Sequence, residues 1–324
     1  MRGRSVRIGV GLAVGAMALA ACGGQRDAAN GGSTSGRLSI ATGNTTGVYY
    51  VMGGGLAQLI NRHLPGYRAT AEATAASVEN IKRVADGQSD IAFTLADTAN
   101  DAVNGTGAFT SPQPIRALAR LYDNVTQVVV RADAGINRLE DLKGKAVSTG
   151  SPNSGTEVVA TRLLASAGLD PDVDVKRQKL ALPESTDALQ NGKIDALFWV
   201  GGLPTAGIKD LVATAKDKIK FLDLSPYLTT MQNRFTKLYH AGTLPMASYG
   251  LSADVPTITV PNLLVVRDTM SNDLAYKLTK LLFEYKADLV KVHKEARNIN
   301  LKTAQLTGDV VLHEGSKQYY SEQH

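Results

Sequence analysis

Apolar positions along this chain switch repeatedly between a period of two and a period near 3.6. Leu38 and Ile40 fall on one face of a strand over residues 37–41. Val48, Met52, Leu56, Leu59, Ile60 and Leu64 then recur at helical spacing, and Pro65-Gly66 stops that helix. A second strand over residues 67–74 leads into a helix over 77–85, with Val78, Ile81, Val84 and Ala85 on one face and Asp86-Gly87 at its end. Ile91-Ala92-Phe93-Thr94-Leu95 reads as a buried strand, followed by a short helix over residues 96–103. Strands alternating with helices at this spacing predict an α/β fold with a largely parallel sheet.

The pattern restarts near Val125. A strand over 125–131 is followed by a short helix and turn at Leu139 to Gly144, a strand over 145–148 and a helix over 156–167 that Gly168 ends. Next come a strand over 173–180, a short helix over 185–190 and a buried strand over 194–200. One phrase occurs in both halves: Asp86-Gly87-Gln88-Ser89-Asp90-Ile91-Ala92-Phe93 is echoed by Gln190-Asn191-Gly192-Lys193-Ile194-Asp195-Ala196-Leu197-Phe198. Two lobes of similar grammar predict a cleft between them. The expected division is lobe 1 over 37–126, lobe 2 over 127–255, and a tail over 256–324 that returns to lobe 1. That tail opens with an extended segment containing Pro256 and Pro261, then a long helix over 271–293.

The first 36 residues do not fit this pattern. Arg2, Arg4 and Arg7 precede an apolar run over residues 8–18, and Leu19-Ala20-Ala21-Cys22 follows. A basic stretch, an apolar stretch and small residues are the parts of a secretory signal. The four-residue sequence resembles a bacterial lipobox, in which the cysteine is lipidated and becomes the first mature residue. A plain secretory signal is the other reading. The run is too short to span a membrane, which takes about 20 apolar residues. Cys22 is the only cysteine, so no disulfide framework claims it. Residues 1–21 are thus read as a signal peptide. Residues 22–36, rich in Gly, Ser and Asn, are read as a flexible tether that lipidated Cys22 anchors to the outer face of the cell membrane. The three signal arginines supply three of the five net positive charges, leaving +2 for the mature chain. No basic tract with interleaved aromatics occurs, so no nucleic-acid partner is expected.

Three loops share one arrangement: a strand ends, small polar residues follow, and a helix begins. They are Thr42-Gly43-Asn44-Thr45-Thr46-Gly47, Ala75-Ala76-Ser77, and Ser151-Pro152-Asn153-Ser154-Gly155-Thr156-Glu157. Helix N-termini offer free backbone N–H groups and partial positive charge, which suit a carboxylate or phosphate. In open α/β sheets ligands bind beyond the carboxyl ends of the strands, where these loops belong. Ser154-x-x-Glu157 is also a capping box, which stabilises a helix with no ligand. Of Tyr49 and Tyr50, one points into the cleft or both sit at its rim. Asp97 either caps its helix or meets a ligand ammonium group. Trp199, in an apolar strand, is read as packing in preference to ligand stacking.

The chemistry of catalysis is thin here. None of the five histidines forms HExxH or lies near a cysteine pair, and no Gly-x-Ser-x-Gly occurs. Thr42 to Gly47 is not a P-loop, because no lysine follows its glycines. A non-enzymatic binding protein without metal or cofactor is the expectation.

Thr42-Gly43-Asn44-Thr45-Thr46-Gly47-Val48-Tyr49-Tyr50 with Gly53-Gly54-Gly55 resembles the opening of TAXI-family solute-binding proteins, the receptors of tripartite ATP-independent periplasmic (TRAP) transporters. Ser77-Val78-Glu79-Asn80, Asp90-Ile91-Ala92-Phe93 with Asp97, Ser154-Gly155-Thr156-Glu157, Asp195-Ala196-Leu197-Phe198 with Gly201-Gly202, and Ala241-Gly242-Thr243 continue the match in order. Leu244-Pro245 stands where that family often has an aromatic residue. The resemblance implies a two-lobed periplasmic-binding-protein fold of the second type, with a ligand cleft between lobes. It implies a monomer that takes a small anionic or zwitterionic solute, akin to glutamate, glutamine or 2-oxoglutarate, to a TRAP-type permease. A sensor lipoprotein that signals to a membrane histidine kinase is the alternative on the same fold. Carried over by position, the cleft residues are Thr46, Tyr49, Ser77, Asn80, Asp97, Ser154, Gly155, Thr156 and Gly202.

Overall fold

A computed structural model describes residues 36–323. The expected signal peptide, Cys22 and all of the tether but Gly36 lie outside the described residues. The chain begins with β1 (Gly36–Ala41), α1 (Val48–His63), β2 (Tyr67–Glu72), α2 (Ser77–Ala85), β3 (Ile91–Leu95) and α3 (Ala96–Asn104). β4 (Ile115–Arg131) follows, then β5 (Ala146–Ser148), α4 (Gly155–Ser166), β6 (Lys176–Gln178), α5 (Leu182–Gln190), β7 (Ala196–Gly201) and α6 (Ala206–Ala215). After these come β8 (Ile219–Phe221), α7 (Leu228–Arg234), β9 (His240–Leu244) and β10 (Val255–Arg267). The tail carries α8 (Asn272–Glu284), α9 (Lys286–Val292), α10 (Leu301–Ala304) and α11 (Glu314–Ser321).

β2-β1-β3 form one parallel group and β7-β5-β6 another. Two long antiparallel strands join them: β10 pairs with β3 and β4, and β4 with β7, giving the order β2-β1-β3-β10-β4-β7-β5-β6. Pro261 has no N–H to give to the ladder, and the β4–β10 register shifts beside it. There the Asn262 side chain donates to the Tyr122 carbonyl at 2.8 Å.

Each half is a sheet covered on both faces. Met52, Leu56 and Ile60 of α1 pack with Leu38 and Ile40 of β1 and with Leu278 and Leu282 of α8. Val78, Ile81 and Val84 of α2 cover the other face. In the second half α4 packs Val159 and Leu163 against Val147 and Phe198. α5 and α6 bury Leu189 and Leu211 against Leu197 on the reverse side. Each such side chain contributes about 1.5–3 kcal/mol on burial.

Three elements differ from the sequence reading. β4 starts ten residues before Val125, because Arg116, Arg120 and Asp123 fall at helical spacing and mask a strand whose residues are mostly buried on both faces. The strand expected over 173–180 shrinks to Lys176–Gln178, with Val173 out in solvent. The single long tail helix breaks at Tyr285, whose ring stacks on His63 with centroids 3.7 Å apart. The break lets α9 bring Leu289 and Val292 down onto Gly55 of α1, where an added Cβ would lie 3.1 Å from Val292.

Candidate functional site

The loops after β1, β2, β5 and β7 meet around one cavity, with about 470 Å³ of atom-free space that is partly continuous with solvent. The N-terminal turns of α1, α2 and α4 all reach it, through Val48 and Tyr49, through Ser77, and through Gly155 and Thr156. Asn124 of β4 and Trp199 of β7 complete the wall. No Asp, Glu, Lys, Arg or His lines it.

Sequence local to each turn explains its shape. Ser154 caps α4 by accepting the Glu157 N–H at 2.9 Å, while the Glu157 carboxylate turns back to the Asn153 N–H at 2.7 Å. The capping box therefore forms with its second bond displaced by one residue. The first-turn N–H groups of Gly155 and Thr156 cannot have acceptors within their own helix, and no other backbone carbonyl among the described residues accepts them. Ala76, before α2, holds φ 92° and ψ −142°, a conformation that only glycine adopts without strain. Ser77 accepts the Leu95 N–H at 3.0 Å, so its hydroxyl braces β3 and lines the cavity together.

The two halves touch across this space. Asn44 accepts the Leu182 N–H at 2.9 Å and donates to Ser151 Oγ at 3.4 Å. The Glu79 N–H donates to the Asn153 carbonyl at 3.1 Å. Gly47 and Gly155 make the close approach possible. A Cβ on Gly47 would meet the Trp199 ring at 3.3 Å, and one on Gly155 would lie 2.5 Å from Ser77 Oγ.

Of the nine residues carried over by position, Tyr49, Ser77, Ser154, Gly155, Thr156 and Gly202 line the cavity. Thr46, Asn80 and Asp97 do not. Asn80 is fully buried and ties three segments together, donating to the Thr42 and Phe93 carbonyls and accepting from Thr74. Asp97 is 0 % exposed and takes bonds from Arg162 of α4 (3.0 Å) and Tyr239 (2.5 Å), so it has no free oxygen to meet an ammonium group. Its other oxygen holds its own helix through the Thr98 N–H at 2.7 Å. Thr46 faces Gly207 of α6, and its buried hydroxyl has no partner.

Trp199, read as packing, has its indole N–H held by Thr205 at 2.9 Å and its ring against Gly47 at the cavity wall. Asn44 and Ser151 lie in two of the three loops read as anion sites but are not among the nine, and Asn124 lies outside those loops. Asn124 is fully buried in β4 beside Asp123, Thr126 and Gln127, so no local pattern marked it out as a wall residue. Asn124 Nδ2 donates to Tyr49 Oη at 3.1 Å, and its Oδ1 has no partner. Burial, offset in part by Asn124 and reinforced by Asp97, raises the Tyr49 pKa well above its usual value. Tyr49 is therefore a neutral hydroxyl that can donate. Burial alone would lower the Arg162 pKa, but Tyr239, Asp97 and Asp101 more than offset it, and the guanidinium stays charged.

Among the described residues no group of His, Cys, Asp or Glu is arranged to hold a metal ion. No helix among them is long and apolar enough to cross a membrane.

Two half-sheets joined by two long strands, with the cavity at their junction, define the two-lobed periplasmic-binding-protein fold of the second type. Solved structures share it. The binding-protein component of an ABC phosphonate transporter from Pseudomonas aeruginosa matches with a TM-score of 0.56 at 16% identity, over 82% of this chain and 80% of its own. An ancestral arginine-binding protein bound to arginine matches at 0.51 and 14%, over 81% of this chain and 99% of its own. A putative L-cystine ABC transporter protein from Listeria monocytogenes matches at 0.51 and 16%, over 83% and 98%. The chain belongs to the NMT1-like family, whose model matches residues 40–323.

Proposed function

We propose that this protein is an extracytoplasmic solute receptor that closes its two lobes on a small anionic or zwitterionic organic molecule and delivers it to a membrane transporter. The observation that carries this reading is the convergence of three helix N-termini on a cavity that no charged side chain lines. Partial positive charge and free N–H groups at those turns suit a carboxylate. The Asn124 amide and the Tyr49 hydroxyl offer neutral polar contacts for the rest of the solute. The ligand-binding residues are Tyr49, Ser77, Ser154, Gly155, Thr156 and Gly202, joined by Asn44, Asn124, Ser151 and Trp199. The lobes divide within β4 and at the start of β10, and these two strands act as the hinge for closure. The reading needs no cofactor and no catalytic step.

Two of the structural neighbours named above are described as parts of ABC transporters, whereas the ordered sequence motifs resemble receptors of ion-driven TRAP permeases. The fold is common to both. We assign the partner as a TRAP-type permease on those motifs, and uptake that survives ATP depletion but stops when the ion gradient collapses is the expected result. Lipid attachment at Cys22 would keep the receptor near that permease, and Cys22→Ser then releases it from membranes.

The direct test is a thermal-shift screen of mature protein against amino acids, dicarboxylates, 2-oxo acids and sugars. A ligand at 100 times its Kd stabilises by about 2.7 kcal/mol. A carboxylate-bearing solute should give such a shift. A shift with sugars alone, or with none of the four classes, overturns the reading.

A further inference from the structure

A second concavity, with about 1300 Å³ of atom-free space open to solvent, lies on the other face of β4. Asn124 lines the cavity described above, while its neighbours Asp123 and Val125 line this groove. Around Asn124 successive residues point to opposite faces, so β4 forms a wall of both spaces. Gly202 and Leu203, just past β7, also divide between them.

The charges in the groove do not cancel. Asp123 accepts from Arg120 at 2.7 Å, so these two satisfy each other. Glu295, only 8 % exposed, accepts the Leu203 N–H at 2.6 Å and the Asn298 side chain at 2.7 Å. Lys294 and Arg297 have no ion-pair or hydrogen-bond partner among the described residues. They sit three apart in the 3₁₀ helix Lys294–Asn298, where side chains at that spacing eclipse, so both cations belong to one edge of the groove. Tyr122 also lines the groove, and its buried hydroxyl is unpartnered.

We propose that this groove is a second binding site, for a small organic polyanion bearing two or more carboxylate or phosphate groups. Lys294 and Arg297 can each take one anionic group, and with the Glu295 carboxylate between them the groove keeps one net positive charge. The groove also has a mechanical consequence. Its floor is β4, one wall is Leu203 of the second half, and the other is the tail packed on the first half. A rotation about β4 and β10 that opens the cleft on one face narrows the groove on the other. A polyanion that fits the groove as it stands therefore favours the closed cleft, and the two sites are coupled.

Calorimetric titration of the intact mature protein with citrate, at ionic strength held constant with sodium chloride, tests this. Saturable binding is expected, weakened about tenfold or more in a Lys294→Gln/Arg297→Gln variant and unchanged in a Lys176→Gln/Lys193→Gln control. Trp199, the only tryptophan, stands at the cleft and reports closure. Citrate should change its emission in the wild type and not in the groove variant. No saturable binding up to about 10 mM citrate overturns the proposal. So does equal affinity in both double variants. Loss with Thr156→Pro and not with the groove variant would make citrate a cleft ligand and likewise overturn it. Binding with no response from Trp199 overturns the coupling. The solute of the cleft plays no part in the experiment, so its outcome is independent of the receptor reading.

Discussion

Replacing Gly155 with alanine separates a protein that closes on its ligand from one whose halves are permanently packed. The new Cβ would lie 2.5 Å from Ser77 Oγ and 2.6 Å from Leu95 Cδ1, both across the cleft. Neither neighbour yields readily. Ser77 is held by the Leu95 N–H, and Leu95 is 2 % exposed and packed in the core of the second half. Overpacking of this kind costs about 1–3 kcal/mol, which corresponds to an affinity loss of about five- to 150-fold. With the lobes apart, the methyl group meets none of these atoms. Alanine is also the better helix former, by about 1 kcal/mol in a helix interior. The unliganded variant should therefore match or exceed the wild type in urea, while its solute Kd, read by calorimetry, rises about tenfold. Unchanged affinity together with a loss of about 1–3 kcal/mol in unliganded stability would refute the reasoning. That result would mean that the halves stay packed without a solute.

Three further perturbations have definite signs. Arg162→Gln leaves the Asp97 carboxylate buried with Tyr239 as its only remaining side-chain donor from across the cleft, and breaking such a pair costs about 3–5 kcal/mol. A loss below about 1 kcal/mol in urea unfolding would show the pair to be dispensable. Ala76→Gly relieves a backbone strain of about 1–3 kcal/mol, less the entropy that glycine adds to the unfolded chain, so the variant should be more stable by about 1 kcal/mol. A lower urea midpoint would contradict this. His293 and His313 each accept a backbone N–H on Nδ1 and bond a carbonyl through Nε2, an arrangement that the neutral ring satisfies and the cation does not. Burial lowers both pKa values below the usual 6.5, partly opposed by those carbonyls and by Glu295 and Glu314. The unfolded chain then binds more protons, so stability is full above about pH 6.5 and falls as pH drops through it. Urea midpoints should decline between neutral and mildly acid pH. The His293→Asn/His313→Asn variant, which keeps a capping oxygen, should flatten that slope, and an unaltered slope would place its origin elsewhere.

Much of this molecule is legible one residue at a time. The bounds read for α2 and β3, 77–85 and 91–95, are those observed, because each is a short apolar period closed by local punctuation such as Asp86-Gly87. The three loops before α1, α2 and α4 were visible for the same reason: a strand, small polar residues, and then a helical period. The α/β class and the repeated halves follow from that grammar. β4 was half hidden, since a strand buried on both faces has no alternation to read and three of its four charges imitate a helix face.

What the sequence could not decide is which polar residues face the cavity and which hold the lobes. Ser77, Asn80 and Asp97 stand in equivalent-looking positions near strand ends. Only the packing turns Ser77 to the cavity wall, ties Asn80 into three backbone segments, and gives Asp97 to Arg162, 65 residues away in the chain. Trp199 and Asn124 likewise became wall residues through pairings made by β4 and β7. Local structure is set by neighbours in the chain, through dihedral preference and apolar period. A site between two lobes is set by side-chain direction and by which distant charge arrives to satisfy a buried one, and both exist only once the long strands have brought the halves together.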